Sequence, residues 1–368
     1  MADKTIAQLA ESIIKAKERG TRVCLFIGAG VSYSAGIETA AGFVNLIKTE
    51  HPEAYKAAKA KAPNPSYAAC MHELSDAERQ HLVNKQVEKA RLNWGHIAIA
   101  LMEEKGYVDR ILTTNFDPLV SRACALLNSF PAIYDFAALQ RDDINQINFV
   151  PSFIRGSAIY HLHGQHTGFT LLNTDDKLEK QANGLDPILK DSMQGRLVII
   201  CGYSGQADPL VTTMAGIAPF PNGLYWFTRE GEAPAADVQK ILLDPHDDTH
   251  CISGRSADRF FVDLARALEI YPPKILAKPF DHLRDVLDSI QDQADDKADD
   301  KAYTDHTINL LAGTKWRVDR ARERDEAEFR PLADFTTLMA KEQYDEVLKR
   351  YDQLPAGEEP VSNELKEL

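Results

Sequence analysis

The chain has 368 residues, a formal net charge of −13 and 44% hydrophobic residues. This length is enough for two or three domains with a sizeable core. The negative charge disfavours direct binding to nucleic acid, whose phosphates would be repelled. No stretch approaches the roughly 18 continuous apolar residues of a membrane span, and the charged N-terminus MADKTIAQLAESIIKAKERG is a poor signal peptide. We therefore predict a cytoplasmic protein without a membrane partner.

The five cysteines are scattered and form no CxxC pair. A zinc ribbon needs clustered thiolates, so this spacing disfavours a structural zinc site. Without a secretion signal, the cysteines are expected to be reduced and mostly buried.

Apolar runs alternate with amphipathic segments along the chain. A helix is predicted over residues 3–19, where Ile6, Leu9 and Ile13 recur at helical spacing and Gly20 follows as a C-terminal cap. The predicted strands are VCLFIG (23–28), RILTTN (110–115), AIYDF (132–136), AIYHLHG (158–164), RLVIICGYS (196–204), GLYWFTRE (223–230) and HCIS (250–253). Helices are predicted between them, so the pattern indicates an α/β, Rossmann-like, mostly parallel sheet with helices on both faces.

Two regions depart from this alternation. Residues 50–92 are rich in Ala, Lys and Glu and are predicted to form a helical insertion. Residues 276–368 are predicted to form a separate helical tail after a main domain over 1–275, with an acidic linker or frayed helix at 292–305. The tail segment TTLMAKEQYDEVLKRYDQLPAGEE resembles one tetratricopeptide-type hairpin. Since one repeat cannot bury its own face, it packs on the main domain or continues in a longer chain.

The stretch FIGAGVSYSAGI (26–37) places glycines and serines at the end of a buried strand. Gly28 and Gly30 would allow backbone N–H groups to approach a pyrophosphate ahead of a helix, and the Ser32 hydroxyl could add a hydrogen bond. A purely structural turn is an equal alternative. The spacing is GAGxSxxAG rather than GxGxxG, so this is not an ordinary dehydrogenase fingerprint.

Two further strand ends carry polar side chains. In TTNFD (113–117), Asn115 and Asp117 lie where the strand ends, at the edge where open α/β sheets bind ligands. Alternatively, one of them caps the helix that begins after Pro118. In ICGYSGQADP (200–209), Gly202 and Ser204 end another buried strand and suit a phosphate or ribose contact, or a plain turn.

The segment YHLHGQHTG (160–168) contains three histidines. His161 and His163 share one face of the predicted strand, but no carboxylate completes an obvious metal site. We therefore expect no metal, and interpret His163 as a general base.

In this order, GAGxSxxAGI, TxNxD, LHG and a strand ending in GYS resemble the sirtuin superfamily over about residues 10–270. The resemblance implies NAD as the ligand and His163 as the general base. It implies that Asn115 orients the ribose and a water, and that Asp117 contacts the nicotinamide carboxamide. The residues that would hold the NAD phosphates, the nicotinamide-side ribose and the adenosine half are Gly28, Ala29, Gly30, Ser32, Gly202 and Ser204.

The chain departs from deacylating sirtuins in two ways. It reads IETAAGF where they continue IPDFR, and it lacks their four-cysteine zinc module. In this it resembles the zinc-free sirtuin-like effector domains of bacterial antiphage systems, which degrade NAD. That resemblance implies an NAD glycohydrolase acting as a regulated toxic effector. It also implies a homo-oligomer, with a HerA-type ATPase or an Argonaute-like protein as a candidate partner. A protein deacylase and a non-catalytic NAD or ADP-ribose binding module are the alternatives.

Overall fold

The computed structural model describes residues 2–137, 154–168, 171, 174, 185–206, 208–290 and 301–328. The chain divides into two compact units, Met1–Glu269 and Ile270–Leu368. Among the residues described, no helix has both the length and the apolar character needed to cross a bilayer.

The first unit is built on one sheet. Its strands are β1 (Ala2–Asp3), β2 (Val23–Ile27), β3 (Val108–Thr113), β4 (Ala132–Asp135), β5 (Ala158–His161), β6 (Leu197–Cys201), β7 (Leu224–Arg229) and β8 (Thr249–Gly254). Their order is β1-β8-β7-β6-β2-β3-β5-β4, and every neighbouring pair is parallel. The predicted parallel α/β sheet is confirmed. The two-residue β1 was not predicted, and the helix after it begins only at Ile6 because Thr5 forms its capping box.

The helices of the first unit are α1 (Ile6–Glu18), α2 (Ala40–Glu50), α3 (Pro52–Lys61), α4 (Tyr67–His72), α5 (Asp76–Lys89), α6 (Trp94–Glu104), α7 (Leu119–Leu126), α8 (Pro209–Ala215), α9 (Ala236–Val238) and α10 (Ala257–Ala267). A π-helical turn spans Gln239–Leu243, and residues 185–193 are also helical. On one side of the sheet, α6 packs against both α7 and α10, and α10 packs against α1. On the other, alternate strand residues such as Phe26 and Ile200 join a core with residues of the 185–193 helix and α8.

Both faces of the central strands are therefore covered. All five residues of β2 and of β6 are buried, which explains their continuous apolar sequences. The predicted helical insertion is confirmed as α3–α5, which together with α2 forms a separate apolar cluster including Phe43, Ile47 and Met71.

The strand order reverses direction at β2. The chain passes from β2 to β3 on one side, but β6 pairs with the opposite edge of β2. The carboxyl ends of β2 and β6 therefore flank a topological switch point, where ligands bind in open α/β sheets.

The second unit contains α11 (Lys274–Ala277), α12 (Pro279–Asp288) and α13 (Lys301–Glu328). Ion pairs join α12 to α13, with Arg284 2.7 Å from Asp319 and Lys315 3.0 Å from Asp288. The helical prediction agrees over residues 306–328. Of the acidic segment 292–305, residues 301–305 are helical, whereas residues 292–300 and the predicted repeat-like hairpin lie outside the described residues.

Candidate active site

The glycine loop after β2 packs directly on the loop after β6. The Gly28 N–H donates to Cys201 O over 3.0 Å, and the Gly30 N–H donates to Gly202 O over 2.8 Å. A Cβ on Gly28 would lie 2.6 Å from Gly202 O. Glycine is thus required here because two backbones approach each other closely.

This contact changes which loop amide can meet a ligand. The N–H groups of Gly28 and Gly30 are used inside the protein. Among the described residues, the Ala29 N–H makes no hydrogen bond, and it precedes a 3₁₀ turn over Ala29–Val31. Of the predicted phosphate contacts in this loop, Ala29 therefore offers the free donor.

Ser32 is completely buried and connects three other side chains. Its hydroxyl donates to Asp117 Oδ2 over 2.9 Å, since a carboxylate can only accept. The amide of Asn115 donates to Ser32 Oγ over 3.2 Å, and His96 Nε2 lies 3.2 Å from the same oxygen. With its one proton committed, Ser32 must accept from His96, so His96 carries its proton on Nε2.

A second contact agrees with this tautomer. The Asn93 N–H donates to His96 Nδ1 over 3.4 Å, which requires a lone pair there. Burial lowers the pKa of His96, opposed by the nearby Asp117 and Asp258 carboxylates, so the neutral ring is favoured. Ser32, His96 and Asp117 thus have the composition of a nucleophilic triad but not its hydrogen bonds. In a triad the serine hydroxyl donates to the histidine, whereas here it donates to the aspartate.

Asn115 is held through nearly all of its polar atoms. Its N–H donates to Thr113 Oγ1 over 3.0 Å, and its carbonyl oxygen lies 3.0 Å from His161 Nδ1. Its side-chain nitrogen donates to Gly28 O and Ser32 Oγ, each over 3.2 Å. Since Gly28 O can only accept, the atom facing it must be the NH₂ group. Within the described chain, Oδ1 is the one polar atom of Asn115 left without a partner.

Asp117 has two roles in the structure. Oδ2 accepts from Ser32, while Oδ1 accepts from the Leu119 N–H over 3.0 Å at the start of α7. The helix-capping alternative therefore describes one oxygen of Asp117. The carboxylate is buried, at 6% exposure.

His163 follows β5 at the same edge of the sheet as Asn115. His161 is paired with Thr113 in the β3–β5 ladder, and Leu162 N–H donates to Thr113 O over 2.8 Å. Asn115 and His163 each lie two residues past this pair, so the structure brings both to the ends of neighbouring strands. Burial lowers the pKa of His163, opposed by Asp208, and the neutral ring can accept a proton.

The remaining predicted residues lie after β6. Gly202 has a φ of +70° and packs on the glycine loop, where a Cβ would be 2.6 Å from Val31 N. Ser204 is exposed, and its hydroxyl accepts from the Gln206 N–H over 3.4 Å. Of the predicted serines, Ser204 is thus accessible to a ligand, whereas the Ser32 hydroxyl is fully used.

The sequence interpretation missed the contribution of α6. Asn93 caps this helix and also donates to Val31 O over 2.7 Å and Ser34 Oγ over 2.8 Å, which ties α6 to the glycine loop. His96 is the one histidine in the buried, apolar segment GHIAIALM of α6. A histidine on the buried face of an apolar helix needs a hydrogen-bond partner. The position of His96, three residues after the Asn93 cap, could therefore have indicated from the sequence that it bonds to another polar side chain.

A three-histidine metal site does not form in the described residues. His161 Nδ1 is engaged with Asn115 O, and the His166 backbone is bound to Phe116 O. No cluster of three His, Cys, Asp or Glu side chains suited to a metal is present in that part of the chain.

A doubly wound parallel sheet with a polar cluster at its switch point defines an α/β protein of the Rossmann-like class. Residues 109–244 match the family model of the SIR2-like domain. This match supports a sirtuin-like domain in that region, in agreement with the motifs TxNxD, LHG and GYS that lie within it. The comparison with curated proteins found no match.

The chain is similar to two solved structures, among others. A crystal structure of a Sir2 homologue–NAD complex is 15% identical, with a TM-score of 0.41, over 71% of this chain and 93% of the other. A Sir2 homologue mutant with ADP-ribose is 20% identical, with a TM-score of 0.42, over 71% of this chain and 96% of the other.

Proposed function

We propose that this protein is an NAD glycohydrolase that cleaves NAD to nicotinamide and ADP-ribose. The observation that carries the proposal is the hydrogen bonding of Asn115. Its backbone N–H, its carbonyl oxygen and its side-chain nitrogen are all bonded within the described chain, so Oδ1 is the acceptor that is available to a ligand. Asn115 follows β3 at the carboxyl edge of the sheet, where it bonds to the glycine loop after β2, and the neutral His163 follows the neighbouring strand β5. The SIR2-like domain match supports NAD as the substrate.

The available groups suit the parts of NAD. The free Ala29 N–H can donate to a pyrophosphate oxygen at the start of its 3₁₀ turn. Asn115 Oδ1 can accept from a ribose hydroxyl or from a water, both of which carry protons. Ser204 is exposed and can contact the adenosine half. Ser32 and Asp117 support this arrangement from within the protein, because their hydrogen bonds hold Asn115 and the start of α7 in place.

The reaction needs little acid catalysis. As the bond between the ribose carbon and nicotinamide breaks, its electron pair leaves with the ring, which departs neutral. Positive charge develops on the sugar, and a water held by Asn115 forms the new carbon–oxygen bond. His163 takes the proton of that water, a role in which removal of a base typically costs about 10²–10⁴ in rate.

The experiment is incubation of the purified full chain with NAD over a range of protein concentrations, with nicotinamide measured by chromatography. Asn115→Ala should lower nicotinamide release by about 10² or more, because the water loses its positioning group. Asn222→Ala is the matched control. Asn222 donates to Gly195 O over 2.9 Å, just before β7 and thus at the opposite end of the strands. Equal activity of Asn115→Ala and Asn222→Ala would reject the assignment.

The same assay separates the alternatives. If an acylated peptide is deacylated as fast as NAD is consumed, the enzyme is a protein deacylase. If NAD or ADP-ribose binds saturably but no nicotinamide appears at any protein concentration, the domain is a binding module. Free nicotinamide and ADP-ribose formed in equal amounts without peptide support the hydrolase.

The role as a toxic antiphage effector rests on the sequence resemblance. It is tested by infecting cells that express the wild-type chain or Asn115→Ala, with and without a candidate HerA-type or Argonaute-like partner. NAD loss on infection that requires Asn115 supports the role. Unchanged NAD in every combination contradicts it.

A further inference from the structure

His161 is a buried histidine that the proposed chemistry does not use. It is the last residue of β5 and is 2% exposed. Its Nδ1 lies 3.0 Å from the backbone oxygen of Asn115. A carbonyl oxygen only accepts, so Nδ1 must carry the proton of the ring.

This bond lies where the strand ladder ends. The main chains of β3 and β5 are joined up to the Leu162 N–H, which donates to Thr113 O over 2.8 Å. Two residues later, side chains bind the main chain of Asn115 instead: Thr113 Oγ1 accepts its N–H, and His161 donates to its carbonyl oxygen. A buried carbonyl left without a donor would be costly, so the bond from His161 fixes the plane of the peptide between Asn115 and Phe116.

The environment keeps the ring of His161 in the form that this bond needs. Burial lowers the pKa of His161, while the bond to Asn115 and the carboxylates of Asp117 and Asp135 oppose the shift. His166 disfavours the charged form as well. The ring is therefore neutral near pH 7, with a single N–H directed at Asn115.

We propose that His161 is a positioning residue that holds the Asn115 peptide so that Asn115 Oδ1 faces the reacting sugar. The kinetic part of this inference rests on the proposed NAD hydrolysis. If the peptide rotates, the side-chain bonds to Gly28 O and Ser32 Oγ are strained, and Oδ1 moves. The effect falls on kcat, because Ala29 and Ser204, which contact the remote parts of the substrate, lie on other loops.

Two variants distinguish positioning from packing. His161→Leu fills the space but removes the donor, whereas His161→Asn places an amide N–H near the position of Nδ1. We expect His161→Leu to lower kcat about 10- to 100-fold, the scale of a displacement of about 1 Å at a catalytic group. Its KM should stay within about threefold, and His161→Asn should recover most of kcat. The control is His250→Leu, a histidine of β8 that packs on Tyr225 at 5.0 Å.

The kinetic outcomes are decisive once the wild-type chain cleaves NAD. Wild-type kcat in a folded His161→Leu chain overturns the proposal. So does a His161→Asn chain that is no more active than His161→Leu.

A second measurement is independent of catalysis. In full-length protein with ¹⁵N-labelled histidine, His161, assigned by its loss in His161→Asn, should show the Nδ1–H tautomer. With ¹⁵N-labelled asparagine, the Asn115 side-chain signals should move in His161→Leu and return in His161→Asn. An Nε2–H tautomer, or unmoved Asn115 signals, overturns the positioning role. If the wild-type chain releases no nicotinamide but the spectra behave as expected, the proposed hydrolysis fails and the positioning of Asn115 stands.

Discussion

The Ser32 hydroxyl donates to Asp117 Oδ2 across 2.9 Å in the fully buried centre of the site. This direction means that Ser32 has no proton left to give to His96. The serine is therefore held as an acceptor for two N–H groups, from Asn115 and His96. Ser32 therefore fixes the side chains of Asp117, Asn115 and His96 through these hydrogen bonds.

Ser32→Ala should lower both stability and nicotinamide release. The change leaves the N–H groups of Asn115 and His96 and an oxygen of Asp117 without their partner. A buried polar group left unpaired costs about 1–3 kcal/mol, so the free energy of unfolding should fall by at least that much. Denaturant unfolding and the NAD assay measure the two effects. The control is Ser289→Ala, since the Ser289 hydroxyl is exposed and donates to Val286 O over 2.7 Å. A Ser32→Ala chain as stable as the control contradicts the assignment.

Replacing His96 by an amide side chain should destabilise the fold less than replacing it by an apolar side chain. His96→Leu loses the N–H that Ser32 accepts and is expected to destabilise the fold by about 1–3 kcal/mol. His96→Gln can return an N–H to Ser32 and should lie between the wild type and His96→Leu. Thermal unfolding of the three chains orders them, with the exposed helix residue changed in His72→Leu as a control. Equal losses for Gln and Leu would mean that packing, not the bond, is what matters.

The parallel sheet and the edge that carries the site follow from local sequence. Runs such as VCLFI and LVIIC are apolar at every position because both faces of β2 and β6 are covered. Parallel strands end at a common edge, so residues that follow them, such as Asn115 and His163, had to lie near one another. Both predictions depend on periodicity and chain direction, which a single sequence contains.

The hydrogen bonds of the site depend on tertiary contacts that cannot be read from the sequence pattern. Ser32 looked like a ligand contact, because a serine in a glycine loop is usually accessible. Ser32 is buried because α6, which lies between β2 and β3 in the chain, packs Asn93 and His96 against the glycine loop. Likewise, the spacing of His161 and His163 suggested a shared face, but not that His161 would bind the backbone of Asn115.

The close approach of the two loops gives a prediction for Gly202. Its φ is +70°, and an added Cβ would lie 2.6 Å from Val31 N. Gly195 has a φ of +76° and open space around its Cβ position. Gly195→Ala should therefore cost only the strain of a left-handed residue, about 1–2 kcal/mol. Gly202→Ala adds a clash that separates the glycine loop from β6.

Comparing the two alanine variants isolates the clash, because their backbone strain is similar. Gly202→Ala should unfold at clearly lower denaturant than Gly195→Ala, and nicotinamide release should be lost in Gly202→Ala only. Both can be measured on the full chain by denaturant titration and the NAD assay. Equal stability and equal activity of the two variants would show that the loops do not need their close contact.

Stability should fall as the pH falls through the acid side of neutrality. Burial lowers the pKa values of His96, His161 and His163 in the folded chain. Below an unfolded-state pKa of about 6.5, the unfolded chain binds protons that the folded chain does not, so each histidine removes up to about 1.4 kcal/mol per pH unit. The contribution is complete above about pH 6.5 and is lost as the pH approaches the lowered folded-state pKa values.

Denaturant unfolding between about pH 5 and pH 8 tests this directly. The free energy of unfolding should decrease below about pH 6.5, and His163→Gln should reduce the slope because one of the three neutral histidines is gone. The same shift predicts that the acid limb of kcat/KM lies below about pH 6.5, since His163 accepts a proton only when it is neutral. A stability that is constant over this range, or an acid limb above pH 6.5, would contradict a buried, neutral His163.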